Sequence, residues 1–345
     1  MNFPIVFSSS RSGRYAIYKI NVDGTGLKKI IGFESVKRDC KNPVLSPNKK
    51  IIAFEVSFPR KQPGFYPPRN IYRINIDGTE LFNITENFEY ISKRYADNYG
   101  PLFSPDSNNI LFKSTVDRFL GGKFIGSHHT PNSHLWMISI NGRKERKLTK
   151  YENIASASLS RKGFRLAYLR SWVMGTDDIF LIPNYMKMVS LKQKISVTLN
   201  HMYHSHPIFS SDGETIFYTE SDAILTPASV LSKHIPTSKV TIINKSGQSE
   251  DICAISDDDT KLLMTQYYFL SKSTESDLFI IDIKNKKEHK LTENSRSNYS
   301  GIFTANDEKI IFVSNRSGQE ELYMININGT NEKRLTSIGA CNPCA

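Results

Sequence analysis

The sharpest chemical signal in the chain is a run of histidines. His201-Met-Tyr-His204-Ser-His206 brings three imidazoles into six residues. Side chains alternate along an extended strand, so this spacing points His204 and His206 to the same side. Neutral imidazoles in such a set suit a Zn or Mn ion. A second group, His128, His129 and His134, falls in the stretch Thr115 to His134. The competing reading is structural, because His206-Pro207 opens a stretch that recurs elsewhere in the chain with other residues in its place.

Cys341-Asn-Pro-Cys344 has the spacing of a redox couple or half a zinc site. No second C-x-x-C exists, and no His follows Cys344. The pair therefore reads as part of a strand, with Cys344 turned to the core. A Cys40–Cys341 staple stays open, and Cys253 reads as buried. Four cysteines in 345 residues are too few for a disulfide scaffold. No G-x-S-x-G, phosphate loop or dinucleotide fingerprint is present. Asp257-Asp258-Asp259 reads as a solvated turn. The formal net charge of +11 permits contact with nucleic acid, anionic lipid or acidic glycan. The lysines are scattered, however, and no dedicated nucleic-acid motif appears. No apolar run has the length of a membrane span, and no charged-then-apolar leader opens the chain. The expectation is a soluble chain, cytoplasmic by default, with a removed leader left open.

The elements that would position these residues come from a repeat. Phe303 to Thr336 holds a turn, an apolar alternating run, S-N-R-S-G, a second run through Tyr323, N-G-T and a closing R-L-T. Alternation marks half-buried strands, and the Asn/Asp/Gly clusters mark tight turns. The first strand and turn recur as N-P-V-L-S-P-N, G-P-L-F-S-P-D, S-A-S-L-S-R-K, H-P-I-F-S-S-D, I-C-A-I-S-D-D and S-G-I-F-T-A-N. Their aligned Ser/Thr positions are 46, 104, 160, 210, 256 and 304, spaced 46 to 58 residues apart. Four strands per unit at that period predict a propeller. Six complete units span 42–98, 99–154, 155–204, 205–250, 251–298 and 299–338. The unit from His206 to Glu250 fits least well; its third strand is read near Ala223–Leu231 and its fourth at Val240–Lys245. Residues 1–41 supply strands two to four of a further blade, and residues 339–345 its first strand, since Asn342-Pro343 matches Asn42-Pro43. The fold expected is one all-β domain over 1–345, a seven-bladed β-propeller of four-stranded antiparallel blades closed by the terminal strands; the alternative is six blades.

S-P-D, then S-x-R-S-G, then I-Y-x-I-N-x-D-G-T, then R-L-T resembles the WD40-like repeat of the TolB family over nearly the whole chain. That resemblance implies a propeller serving as an interaction platform or an enzyme appendage, and leaves a periplasmic or exported setting open. TolB itself has six blades. The H-x-x-H-x-H string also resembles the metal-binding segment of oligogalacturonate lyases, which are seven-bladed propellers. It implies His204 and His206 as ligands, with His201 where that family has Gln. The chain is similar, too, to the propeller domains of prolyl-oligopeptidase-type hydrolases, without the hydrolase half.

Connections before strand one and after strand two share one face of a propeller. The long ones lie there: Phe58 to Asn70, Thr115 to His134 and, shorter, Tyr267 to Ser276. Long loops on a rigid frame are where binding residues concentrate. The candidates are Arg60, Lys61, Phe65, Tyr66, Arg69, Arg118, Phe119, Lys123, Phe124, His128 and His129, a mixture suited to protein, peptide or anionic-sugar contact. They read otherwise as a lid packed on itself. The leading expectation is a non-catalytic platform for a protein or peptide, without a cofactor. The alternative is a metal-dependent lyase or hydrolase acting on an acidic glycan through His201, His204 and His206, with Zn or Mn.

Overall fold

The computed structural model describes residues 4–59, 68–86, 96–116, 119–120, 123–124, 133–150, 152–171, 177–188, 190, 193–198, 200, 202–223, 226–245, 247–269, 274–293 and 296–344. The chain forms seven antiparallel sheets around an axis, each with four strand positions. Blade one is made from both ends of the described chain. Cys341–Cys344 is its inner strand, followed outward by Ile5–Ser9, Ala16–Ile20 and Lys28–Ile31. The inner strands of blades two, three, four, six and seven are Asp39–Leu45, Ala96–Phe103, Ile154–Leu159, Ser249–Ile255 and Asn298–Phe303. Blade five has a divided inner strand, Tyr203–His204 and Ile208–Phe209. Its third and fourth strands are Ser229–His234 and Lys239–Lys245. The third thus begins later than the sequence suggests: the second strand runs on to Ser221, and Thr226 Oγ1 donates to the Ala223 carbonyl ahead of Ser229.

Alternation along the second and third strands builds the core. Leu262 and Met264 pack with Phe217 and Val230 of blade five, whereas Leu263, between them, packs with Ile310 and Phe312 of blade seven. The other blades behave alike, so the core is seven apolar clusters, each between two neighbours. Burial of these side chains on both sheet faces drives the ring together.

The recurrent Ser/Thr of the first turn has a clear function. Ser104, Ser160, Ser210 and Ser256 each accept the backbone N–H five residues on at 2.9–3.0 Å. Ser46 and Thr304 do the same at 2.9 and 3.2 Å. In five of these turns the hydroxyl donates to a residue two places on: Asn48, Asp106, Asp212, Asp258 or Asn306. The closing L-T and I-T residues act as pins. Thr85, Thr149, Thr198, Thr292 and Thr336 accept the N–H of Ile71, Leu135, Ile179, Leu278 and Leu322 at 2.9–3.0 Å. Buried N–H groups must find such partners.

Ring closure follows the expected route. Val6 pairs with Cys344 and Ser8 with Cys341. Ile5 and Phe7 also pack with Ile311, Val313 and Leu322 of blade seven. Deleting Cys341 to Ala345 opens the inner edge of blade one, and we expect the melting temperature to fall by about 5 °C or more. An unchanged melting curve would refute the closure. A second expectation concerns acid. Hydrogen bonds from Ser256 and Thr260 hold the Asp258 carboxyl at about 2, below its ordinary 3.8. Its contribution to stability is complete above pH 3.8 and is lost as pH falls toward about 2. Asn stands at this place in two other turns, so Asp258→Asn should fold and flatten the fall in melting temperature across that window.

Candidate binding face and central channel

The inner strands enclose a channel of about 740 Å³. Every blade contributes to its wall: Asn42, Gly100, Ala155, His206, Asp251, Tyr299 and Asn342 are among the lining residues. The turn-side end is bridged by Arg161 of blade four and Asp257 of blade six, 2.5 Å apart. Lys49 of blade two interacts electrostatically with both. Tyr267, near the end of its strand away from those turns, lines the channel as well.

The inner strands carry a device that the alternation rule misses. In blade two Lys41 faces Glu55 and Val44 faces Ala53, so the inner strand has one residue more than its partner. Blades three and seven repeat this between Tyr99 and Leu102 and between Tyr299 and Ile302. Asn42, Gly100, Ser300 and Asn342 sit at these bulges with φ of 50 to 63°, a left-handed conformation that Gly and Asn tolerate best. The Asn-Pro and Gly-Pro dipeptides of the repeat are thus bulges that re-aim side chains at the channel.

The same irregularity separates the histidines. His204 faces Glu220, but Ile208 faces Phe217, so one extra residue lies between them. His204 turns into the blade. Its side chain is fully covered, Nδ1 donates to the Asp177 carbonyl at 2.6 Å, and Nε2 lies 3.3 Å from the Glu220 carboxylate. His206 is exposed and lines the channel. The two imidazoles therefore do not share a side. His134 is buried with Nδ1 2.7 Å from the Lys150 carbonyl. Among the described residues no group of three or more His, Cys, Asp or Glu is arranged to hold a metal.

Arg69 is held between two carboxylates. Its guanidinium donates to Asp97 at 2.7 and 2.8 Å and to Glu55 at 3.1 Å, and it stacks on Tyr99. Glu55 also accepts from Asn42 and from the Gly100 N–H. This cluster ties blade two to blade three. Phe119–Leu120 and Lys123–Phe124 form a small two-stranded ribbon. Arg60, Lys61, Phe65, Tyr66, Arg118, His128, His129 and His201 lie outside the described residues, as do the side chains of Phe119, Lys123 and Phe124. All four cysteines are free thiols. Burial pushes Cys40 and Cys344 up to about 12 and Cys341 to about 11. Cys344 packs against the cluster shared by blades one and two, as expected for a closing strand.

The channel wall holds residues that motif reading passed over. Lys113 reaches across Gly100 to donate to the Ala155 carbonyl at 2.9 Å. Burial pulls its ammonium down, against the opposing charge of Glu55. Asp251 lies beside Tyr267, whose hydroxyl is pushed up by burial and then by that carboxylate. Tyr267 belongs to a hairpin, Lys261–Phe269 and Thr274–Asp282, with the longest strands described in the molecule. Tyr267 and Phe269 stack at 6.4 Å, and Phe269 remains exposed.

No protein-family model matches the chain. It is 26% identical over 132 residues to the Tol-Pal system protein TolB of Helicobacter hepaticus, which is 38% of this chain and 30% of that protein. With TolB of Helicobacter pylori it shares 25% identity over 135 residues. The matched segment thus spans about a third of these relatives. In three dimensions it superposes on TolB from Acinetobacter baumannii with a TM-score of 0.55 and 14% identity, covering 96% of this chain and 78% of that one. The chain is a seven-bladed propeller with sequence and fold similarity to TolB. The fold is shared more widely. An oligogalacturonate lyase in complex with manganese gives a TM-score of 0.69 at 12% identity, over 92% of this chain and 84% of the other. A puromycin-hydrolyzing peptidase of Mycobacterium tuberculosis gives 0.65 at 10% identity, over 96% and 53%. Among the described residues no helix is long and apolar enough to cross a membrane.

His204→Ala should cost about 1–3 kcal/mol, because it strips a partner from buried polar groups. His206→Ala should stay within about 0.5 kcal/mol of the parent. Urea unfolding of both variants checks this, and equal effects would contradict the two placements.

Proposed function

We propose that the chain is a non-catalytic interaction platform that holds a protein or peptide on the face of the long connections. The observation that carries this reading is the asymmetry between the two faces. One face consists of short turns closed by their own Ser, Thr, Asp and Asn side chains. The other bears the long connections of blades two and three and the long aromatic hairpin of blade six, whose Tyr267 also lines the channel. Rigid frames commonly present binding residues in this manner. The similarity to a Tol-Pal system protein supports a role as one component of a larger protein system.

The competing reading is a metal-dependent lyase or hydrolase acting on an acidic glycan through His201, His204 and His206, with Zn or Mn. The inward turn of His204 weighs against it, since both ring nitrogens already face protein groups. Two measurements separate the readings. Affinity capture with the parent and with a variant lacking Arg118 to Asn132 should lose specific partners in the variant, and identical partner sets would sink the platform role of that loop. Metal analysis of the purified protein should give no stoichiometric transition metal; a bound metal released by His206→Ala would favour the enzyme.

A further inference from the structure

The charged groups of the channel wall are few and unevenly placed. Glu55 shares the Arg69 guanidinium with Asp97 and is further satisfied by Asn42 and the Gly100 N–H. Lys113, from blade three, has a backbone carbonyl and the Tyr99 ring, 4.7 Å away, but no carboxylate within ion-pair distance among the described residues. Asp251, from blade six, has Tyr267 beside it and no cation within that distance among the described residues. Blades three and six stand as far apart as a ring of seven allows. Besides the Arg69-bound Glu55, the described channel wall therefore presents a cation, Lys113, and an anion, Asp251, on opposing sides, neither of them in an ion pair among the described residues.

The surroundings of each group match its charge. Tyr267 and Tyr299 line the cavity with Asp251. Carboxylate and aromatic rings together form a site for an ammonium or guanidinium. On the other wall Lys113 lies with the apolar Ala155, Ala157 and Leu102, which leave its charge little competing solvent. A volume of about 740 Å³ falls within the range usual for small-molecule sites.

We propose that the central channel binds a small zwitterion of the size of a short peptide, with its cationic end at Asp251 and Tyr267 and its anionic end at Lys113. The long connections of blades two and three supply none of these residues, whereas Tyr267 is shared with the blade-six hairpin of the platform face. Charge separation in the ligand selects for length, since an extended chain grows by about 3.3–3.6 Å per residue.

Oligoglycines from diglycine to pentaglycine vary that separation without side chains, and isothermal titration calorimetry reads their binding. One length should bind best. Acetylating its amine or amidating its carboxylate should weaken binding about tenfold or more. Asp251→Asn should abolish the penalty for acetylation alone, and Lys113→Gln the penalty for amidation alone. Melting curves establish that both variants fold. Equal binding of free and capped peptides, or no binding of any length at millimolar concentration, overturns the proposal. The capped peptides test the unaltered protein, so the result does not depend on the variants. Loss of oligoglycine binding with loop-dependent partner capture intact would remove the channel site and leave the platform standing.

Discussion

The structure depends on the pairing of Cys341–Cys344 with Ile5–Ser9. Every blade buries both faces against its neighbours, so a missing or frayed blade exposes two apolar surfaces. Among the described strands, blade one takes its inner strand from the opposite end of the chain, and the other blades do not. Its second and third strands carry Ile5, Phe7, Tyr18 and Ile20 toward blade seven and Val6 and Ile17 toward blade two. The pairing fixes that sheet, and the sheet fixes the two last interfaces of the ring. Asn342 extends the closure with a hydrogen bond to Asn42 at 2.8 Å, the equivalent bulge residue of the next blade.

Within the blades, two small devices make the repeat tolerant of change. The first-turn Ser/Thr satisfies the start of the second strand, and the closing Thr satisfies the start of the third. Both act inside one blade and need nothing from the connections on the opposite face. Those connections are free to lengthen, as they do in blades two and three, without loosening the frame. Contacts between blades are made by other residues. Arg69 between Glu55 and Asp97 is one case. Another is Asp277, which accepts from Thr292 of its own blade and from Asn298 of the next.

The bulge in the inner strands links this frame to function. One extra residue per inner strand breaks strict alternation at the channel wall. It places Asn42, Gly100, Ser300 and Asn342 in a left-handed conformation, and it sends His204 inward while His206 faces the channel. A regular strand would have placed the two imidazoles on one side. The channel chemistry is instead set by whichever side chain each blade presents there. Those residues differ from blade to blade, unlike the turns and pins.

The sequence by itself determined the architecture. The Ser/Thr positions, the alternating runs and the N-P match between Asn42 and Asn342 specify seven blades and their closure, because turn chemistry and strand alternation are local and repeat at readable offsets. Where local signals weaken, as in Ser221 to Thr226, the reading of a strand edge drifts. The tertiary structure alone decided what the individual polar residues do. Arg69 is held by Glu55 and Asp97 from two blades. His204 is held by the Asp177 carbonyl and lies beside Glu220. Lys113 and Asp251 carry no motif at all, yet the ring sets them on facing walls. Each outcome rests on contacts between residues far apart in the chain, or on a bulge visible only in the register of two paired strands. Spacing along one strand contains neither.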